Sequence, residues 1–417
     1  MRKLIWALAL VAPGVQAAEA GLPAEADVRA ALDAAPGVAA AQARAEAASD
    51  EARALARGPH EFTLSATYAS RTVNDGTGVA NGRFNEYSAE LTRPFRLPGK
   101  AGLDRQIGAA GVTYARNMAE DARHQTALRL AQLWWDWVGA ATLARIDRQA
   151  SDNARALLAS VERRAALRDA SRLEVDQASA ALGAAAAEAE RSAGRQAVAR
   201  ARLATQFPQV LPATPPETPV PQLPPAGLMR LQARILGASH ELAAATAAAQ
   251  RADAQAERAR RERVGDPTFG LRVFSDKGGM EKGAGLVFSM PLGGGARSAL
   301  ASKAAADAVA AQADLQATRR DIAETAAADV AEAEASTQAW SSARAALDAQ
   351  VAALAKTRRG QQLGEISLAE VLLAERMTHA AFRAEAEART EAVRALTRLR
   401  IDAHELWIGD ADEAPAG

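Results

Sequence analysis

Leu167-Arg-Asp-Ala-Ser171-Arg-Leu-Glu174-Val175-Asp-Gln-Ala178 returns near the far end of the chain as Leu363-Gly-Glu365-Ile-Ser367-Leu-Ala-Glu370-Val371-Leu-Leu-Ala374. The offset is 196 throughout, without a gap, and Leu, Ser, Glu, Val and Ala are identical at five positions. Each copy interrupts a long alanine-rich helical pattern. A second pair of landmarks lies upstream of each copy. Leu91-Thr-Arg-Pro94-Phe-Arg-Leu-Pro-Gly99-Lys-Ala101 ends a strand-like run and opens a helix, as does Phe288-Ser-Met-Pro291-Leu-Gly-Gly-Gly-Ala296. Pro59-His-Glu-Phe62-Thr-Leu64 likewise corresponds to Pro267-Thr-Phe269-Gly-Leu271. Breakers and strands recurring in one order read as two copies of one unit.

Working outward, each copy reads as helix, strand, strand, long helix, turn and helix. The first repeat covers 21–207, with strands at about 61–71 and 84–94, a long helix at about 102–168, a turn at 167–172 and a return helix to 207. Its leading helix is expected over 24–57. Residues 208–225 hold eight of the 17 prolines and read as an extended linker. The second repeat covers 226–408. A leading helix runs from about 227 to 263, strands lie at about 267–275 and 284–291, a long helix at about 296–363, a turn at 363–368, and a return helix to about 408; 409–417 is a tail. At 1.5 Å per residue, 102–168 predicts roughly 100 Å of helix, which needs neighbours of equal length.

Composition agrees with a mostly helical fold. The apolar fraction is 49% but aromatics are only 4%, which suits long helices meeting through small residues. The charge balances at 50 basic against 50 acidic residues, against a general nucleic-acid binder. The chain has no cysteine, which excludes disulfides, thiolate metal sites, cysteine nucleophiles and lipidation through an N-terminal Cys. Arg2-Lys3, the apolar run Leu4 to Val11 and the small residues around Ala17 read as a signal peptide over 1–20. No later segment reaches the roughly 20 apolar residues of a transmembrane helix, so an exported chain would cross a membrane only by strands.

The strands carry an alternating pattern. Phe62, Leu64 and Tyr68 share one face of the first, and Tyr87 and Leu91 one face of the second. Phe269, Leu271 and Val273, then Leu286 and Phe288, do the same in the second repeat. Strands of about nine to eleven residues with one apolar face suit a membrane β-barrel, on which these ten residues would face lipid. Four strands cannot close a barrel and open edges do not sit in lipid, so several chains must contribute.

With these landmarks, the chain resembles outer-membrane efflux proteins of the TolC type over essentially its whole mature length. The motifs that carry the resemblance are the double hairpin, Leu97-Pro-Gly-Lys-Ala101, Pro291-Leu-Gly-Gly-Gly295 and the two turns, that at 363–374 being the most specific. The resemblance implies a homotrimer in the outer membrane of a Gram-negative bacterium. Each subunit gives four strands to a twelve-stranded barrel, and the helices form a periplasmic α-barrel. It also implies a periplasmic adaptor, touching Leu167, Asp169 and Ser171 and Leu363, Gly364, Glu365 and Ser367, and beyond it an inner-membrane pump. Glu370 and its counterpart Glu174 fall where acids line the closed aperture of family members. Leu373 stands where some members carry a second acid, so the resemblance extends to a single ring at Glu370. The expected role is a passive exit duct for small molecules or metal ions, with no cofactor. The channel of a one-step protein secretion system and a secreted coiled-coil protein without a pore are the alternatives.

Other features point elsewhere only weakly. Gly293-Gly-Gly295 lacks the Lys-Ser or Lys-Thr of a phosphate loop and reads as a strand-to-helix junction. His60, His124, His240, His379 and His404 have no metal-site spacing and read as surface or packing residues. Trp134, Trp135 and Trp137 read as packing anchors, and Lys356, Arg358 and Arg359 as clamps of the second turn or solvated cations. No arrangement of nucleophile and base, or of paired carboxylates, has a catalytic setting.

Overall fold

A computed structural model describes residues 21–74, 76, 82–225 and 227–408. The signal-peptide stretch 1–20 and the tail 409–417 lie outside the described residues. The element order is α1 (Glu25–Asp33), α2 (Pro36–Arg57), β1 (Thr63–Val73), β2 (Gly82–Pro94), α3 (Lys100–Ala166) and α4 (Arg172–Gln206). The same order follows as α5 (Leu228–Ala238), α6 (His240–Glu262), β3 (Thr268–Asp276), β4 (Glu281–Ser289), α7 (Gly295–Gln362) and α8 (Leu368–Asp402). α3 and α7 have 67 and 68 residues, and α4 and α8 have 35 each.

Several boundaries differ from the sequence expectation, and β1 spans Thr63–Val73 where about 61–71 is expected, so Phe62 precedes it. The leading helix expected over 24–57 is two helices, because Pro36 has no N–H to continue α1 and instead opens α2. The helix expected from 227 to 263 breaks at Ser239, whose extended backbone and Oγ, accepting from the Leu242 N–H, cap a new helix. The return helix expected to reach 408 stops at Asp402. There His404 turns left-handed (φ 56°) and the Glu405 N–H closes back on the Arg400 carbonyl, an αL helix stop made without glycine. β4 begins at Glu281 rather than 284, because the turn after β3 is a single 3-10 turn, Lys277–Gly279. It ends at Ser289, two residues before Pro291.

The chain forms two compact units. Among the described residues, one comprises 21–35, 124–237 and 326–408; the other comprises Pro36–Arg123 and Ala238–Thr325. The core of the first is aromatic. Trp134, Trp135 and Trp137 of α3 pack with Val28 and Leu32 of α1, Leu203 of α4, Phe207, Val210, Ile401 and Trp407. Trp134 donates its indole N–H to the Gly21 carbonyl at 2.8 Å and Trp135 to Thr397 Oγ1 at 3.0 Å. The three tryptophans therefore anchor packing. Elsewhere the helices meet through small residues: a Cβ on Gly139 of α3 would stand 2.8 Å from Thr390 Cγ2 of α8. The proline-rich stretch after α4 opens with a 3-10 turn, Pro208–Val210, whose Val210 joins the core, and Glu217 further on pairs with Arg145 of α3 at 3.2 Å. It is a strap laid on the unit, not a free linker.

The second unit carries the antiparallel sheet, ordered β1-β2-β3-β4, and the helix ends that leave it. None of the described helices is long and apolar enough to cross a membrane.

Candidate functional sites

The first candidate site is a sheet face. The register pairs Leu64 with Leu91, Leu91 with Leu271 and Leu271 with Leu286, a row of four leucines across all four strands. Side chains two apart along a strand share a face. Tyr68 of β1, Tyr87 of β2, Phe269 and Val273 of β3, and Phe288 of β4 therefore stand on the side of the leucine row, and Phe62, just ahead of β1, lies under Arg93 of that face. The register thus places nine of the ten apolar residues singled out in the sequence on one face, and the contact with Arg93 sets Phe62 beside them. All are open to solvent, from 44% exposed at Leu91 to 87% at Leu286.

The face is zoned. Near the helix ends Phe269 packs against Phe288 and Phe95, with ring centroids 5.1 and 5.5 Å apart, and Arg93 lies 4.9 Å over Phe62. Six residues further along β1, roughly 20 Å at 3.3 Å per residue, Tyr68 meets Tyr87 at 5.3 Å. Leucine, alanine and valine fill the interval. The opposite face carries Thr63, Ser65, Thr67, Ser88, Glu90, Thr92 and Arg272, with Glu90 opposite Arg272 in register. β1 and β4 each have one unpaired edge.

The second candidate site is the pair of helix turns, which share a construction. At the first, Arg168 is left-handed (φ 60°) and the Asp169 N–H bonds the Arg164 carbonyl at 2.8 Å. At the second, Gly364 is left-handed (φ 80°) and the Glu365 N–H bonds the Gly360 carbonyl at 3.0 Å. Both are αL helix stops, at which glycine carries no steric penalty. Two residues on, Ser171 and Ser367 start the return helices. Ser171 Oγ accepts from the Glu174 N–H, and Ser367 Oγ from the Glu370 N–H. Glu174 and Glu370 reach back to the Ser171 and Ser367 N–H groups at 2.7 and 2.8 Å. These are two capping boxes, and they explain why Ser and Glu recur at the same spacing in both copies.

The turns differ around that frame. Arg164 bridges Asp169 at 3.1 Å, whereas its counterpart Gly360 leaves room for Ile366, whose Cδ1 lies 2.6 Å from where a Cβ would stand. Leu167 and Leu363 project at the apices, exposed, and Val161, Ala178 and Leu368 pack beneath. Glu370 is exposed, and the backbone N–H and hydroxyl of Ser367 hold its carboxyl below the ordinary glutamate value. Among the flanking cations, Arg358 pairs with Glu375 at 2.8 Å and Arg359 bonds Gln362 at 3.3 Å.

Three features were missed in the sequence. Lys100, of the Leu97-Pro-Gly-Lys-Ala101 motif, is buried and donates to the Val264 carbonyl and Asp266 Oδ1 at 2.8 Å each, with Glu262 Oε2 at 3.0 Å. It ties the first strand-to-helix junction to the start of the second hairpin. Asp266 loses solvation, but Lys100, the Leu97 N–H and His60 hold it below the ordinary aspartate value. The second is Asp147 of α3, fully buried, with His379 Nε2 at 2.8 Å and Arg383 of α8 on its other oxygen. Burial would raise this carboxyl; hydrogen bonds from Arg383, His379 and Ser192 outweigh it and lower it. The third corrects the histidines: His60, His124 and His379 each stand against an aspartate, Asp266, Asp402 and Asp147 respectively. Among the described residues no group of three or more His, Asp or Glu could hold a metal ion.

No protein-family model and no curated protein matches the sequence. The fold is shared with solved membrane proteins and outer-membrane channels. A membrane protein from Pseudomonas aeruginosa superposes with a TM-score of 0.78 at 19% identity, over 92% of this chain and 94% of that one. The outer membrane protein VceC from Vibrio cholerae gives 0.76 at 18% identity, over 91% and 95%. The CmeC outer membrane channel of Campylobacter jejuni gives 0.72 at 14% identity, over 92% and 85%.

Proposed function

We propose that this chain is one of three identical subunits of an outer-membrane channel, the passive exit duct of a tripartite efflux pump for small molecules or metal ions. The observation that carries the reading is the sheet: nine exposed apolar residues on one face with Phe62 beside them, a polar opposite face, and two unpaired edges. A hydrocarbon-facing sheet tolerates no open edge, so β1 of one copy pairs with β4 of the next. Three copies supply twelve strands, an even number within the range of bacterial barrels. The Phe and Tyr rows at either end of the leucine band then take the places of the interfacial aromatic girdles. The channel neighbours in the fold support the same reading.

In this reading the turns around Leu167, Asp169 and Ser171, and around Leu363, Gly364, Glu365 and Ser367, meet a periplasmic adaptor that links to an inner-membrane pump. Their capped geometry presents Leu167 and Leu363 at fixed positions. Glu370, with Glu174 in the first repeat, lines the inner aperture. One Glu370 oxygen is engaged by Ser367, and the acid stays ionised there because its carboxyl is lowered. Three such charges around an axis attract cations and repel one another.

Planar-bilayer recording of the detergent-extracted protein tests the function. The reading predicts discrete conductance steps, with weaker cation preference in Glu370→Ala. Protein that inserts no pore at any concentration would contradict it.

A further inference from the structure

Where α8 ends, two carboxyls meet that no channel role requires. Asp329 of α7 and Asp402, the last residue of α8, are each more than nine-tenths buried. Their partners are few. Arg398 Nε lies 2.9 Å from Asp329 Oδ1 and 3.4 Å from Asp402 Oδ2, and its side chain is about half in solvent. His124 Nε2 of α3 lies 2.8 Å from Asp402 Oδ1, and the His404 ring sits 5.6 Å from that of His124. Glu332, one turn along α7, adds negative charge. Asp329 Oδ2 and Asp402 Oδ2 remain, both buried and neither accepting a hydrogen bond, with Arg398 Nε near Asp402 Oδ2 only as an ion pair.

The two carboxyls nonetheless converge on the same Arg398 Nε, at 2.9 and 3.4 Å, and so stand side by side. A carboxylate is an acceptor only, so two of them bond when one carries a hydrogen. Two buried ionised carboxylates would face one half-solvated guanidinium and repel. One proton between them leaves a single negative charge opposite Arg398 and satisfies both oxygens.

We propose that Asp329 and Asp402 form a proton-binding site, one proton shared between their carboxyls, whose release loosens the hold of α7 on the end of α8. The electrostatics agree: burial and the neighbouring Asp402 push Asp329 up to about 7. Asp402 is itself disfavoured by burial, yet the hydrogen bond from His124 and the Arg398 charge hold it low. The proton thus belongs to the pair. The folded protein holds it more tightly than the unfolded chain, so its stabilising effect is complete below the ordinary aspartate value and is lost as pH rises through about 7.

The test is hydrogen exchange over residues 395–402 in the detergent-extracted protein, corrected for intrinsic exchange, between pH 5 and 7.5. Local opening is expected to grow with pH, approaching tenfold per unit at most, and to level off above about 7. Asp329→Asn, whose amide donates to Asp402 at every pH, is expected to abolish that dependence. Parallel pH profiles in the two proteins would overturn the proposal. Should Asp329→Asn not fold, infrared titration of wild-type protein carrying carboxyl-labelled aspartate decides. A protonated-aspartate band that bleaches near neutrality supports the site, and aspartates fully ionised at pH 6 refute it.

Discussion

Leu271→Arg puts a charge in the middle of the apolar face. Leu271 is 61% exposed and stands in the row Leu64–Leu91–Leu271–Leu286, two residues from the Phe zone and four from the Tyr zone, so on a spanning barrel it lies within the hydrocarbon layer. An arginine within the hydrocarbon layer costs up to about 2–4 kcal/mol, and in the proposed trimer one in each subunit multiplies this to as much as about 6–12 kcal/mol. Even one subunit's share is a factor of roughly 30 to several hundred in a folding equilibrium. Thr67→Arg is the control: it pairs with Ser88 on the opposite face and meets no such cost. The assay is urea-dependent refolding into bilayer vesicles, read by the heat-modifiable migration of the folded trimer. Leu271→Arg should fold poorly, with Thr67→Arg close to wild type. Equal loss in both would refute the assignment of the leucine face to lipid, since the face would then not matter.

Asp147→Ala leaves Arg383 and His379 without their buried partner; about 3–5 kcal/mol of stability should be lost, seen as a lower thermal midpoint. Lys100→Ala takes the buried cation from Asp266, which keeps only the Leu97 N–H and His60, while Glu262 keeps Arg258 and Arg297; the second unit should lose about 3 kcal/mol or less, with fast proteolysis beside Gly265. Ser367→Ala removes the cap and should speed amide exchange at the start of α8 several-fold, while the trimer survives. The same turn should loosen in acid. Because the Glu370 carboxyl is lowered, its contribution is present above the ordinary glutamate value and is lost as pH falls through the folded value, which exchange measured down the acid limb would follow. Gly364→Pro removes both the left-handed φ and the N–H that bonds the Gln361 carbonyl. Efflux should fail with the trimer still in the membrane, and loss of the trimer would make Gly364 a folding residue instead.

What the sequence discloses is what local pattern controls. Period-two alternation puts Leu64, Leu91, Leu271 and Leu286 on one face, and proline-free alanine-rich runs become α3 and α7. Ser171-x-x-Glu174 and Ser367-x-x-Glu370 are visible as a repeat, and their spacing is that of a capping box, a signal that the residue order carries by itself. The breaks at Pro36 and Ser239 are equally local: a proline at a first helical position and a serine ahead of a helix are start signals that alanine richness masks. The polar pairings cannot be read this way. Lys100 meets Asp266 across 166 residues and His379 meets Asp147 across 232, so only packing brings them together. The charge of Asp329 likewise depends on how deeply its neighbours bury it.

The most direct test of the channel account is the native mass of the protein extracted by mild detergent from isolated outer membranes. The account predicts a trimer recovered from that fraction. A monomer recovered from the soluble periplasm would contradict it: the leucine face would then not meet lipid, and the strands would belong to a secreted helical protein.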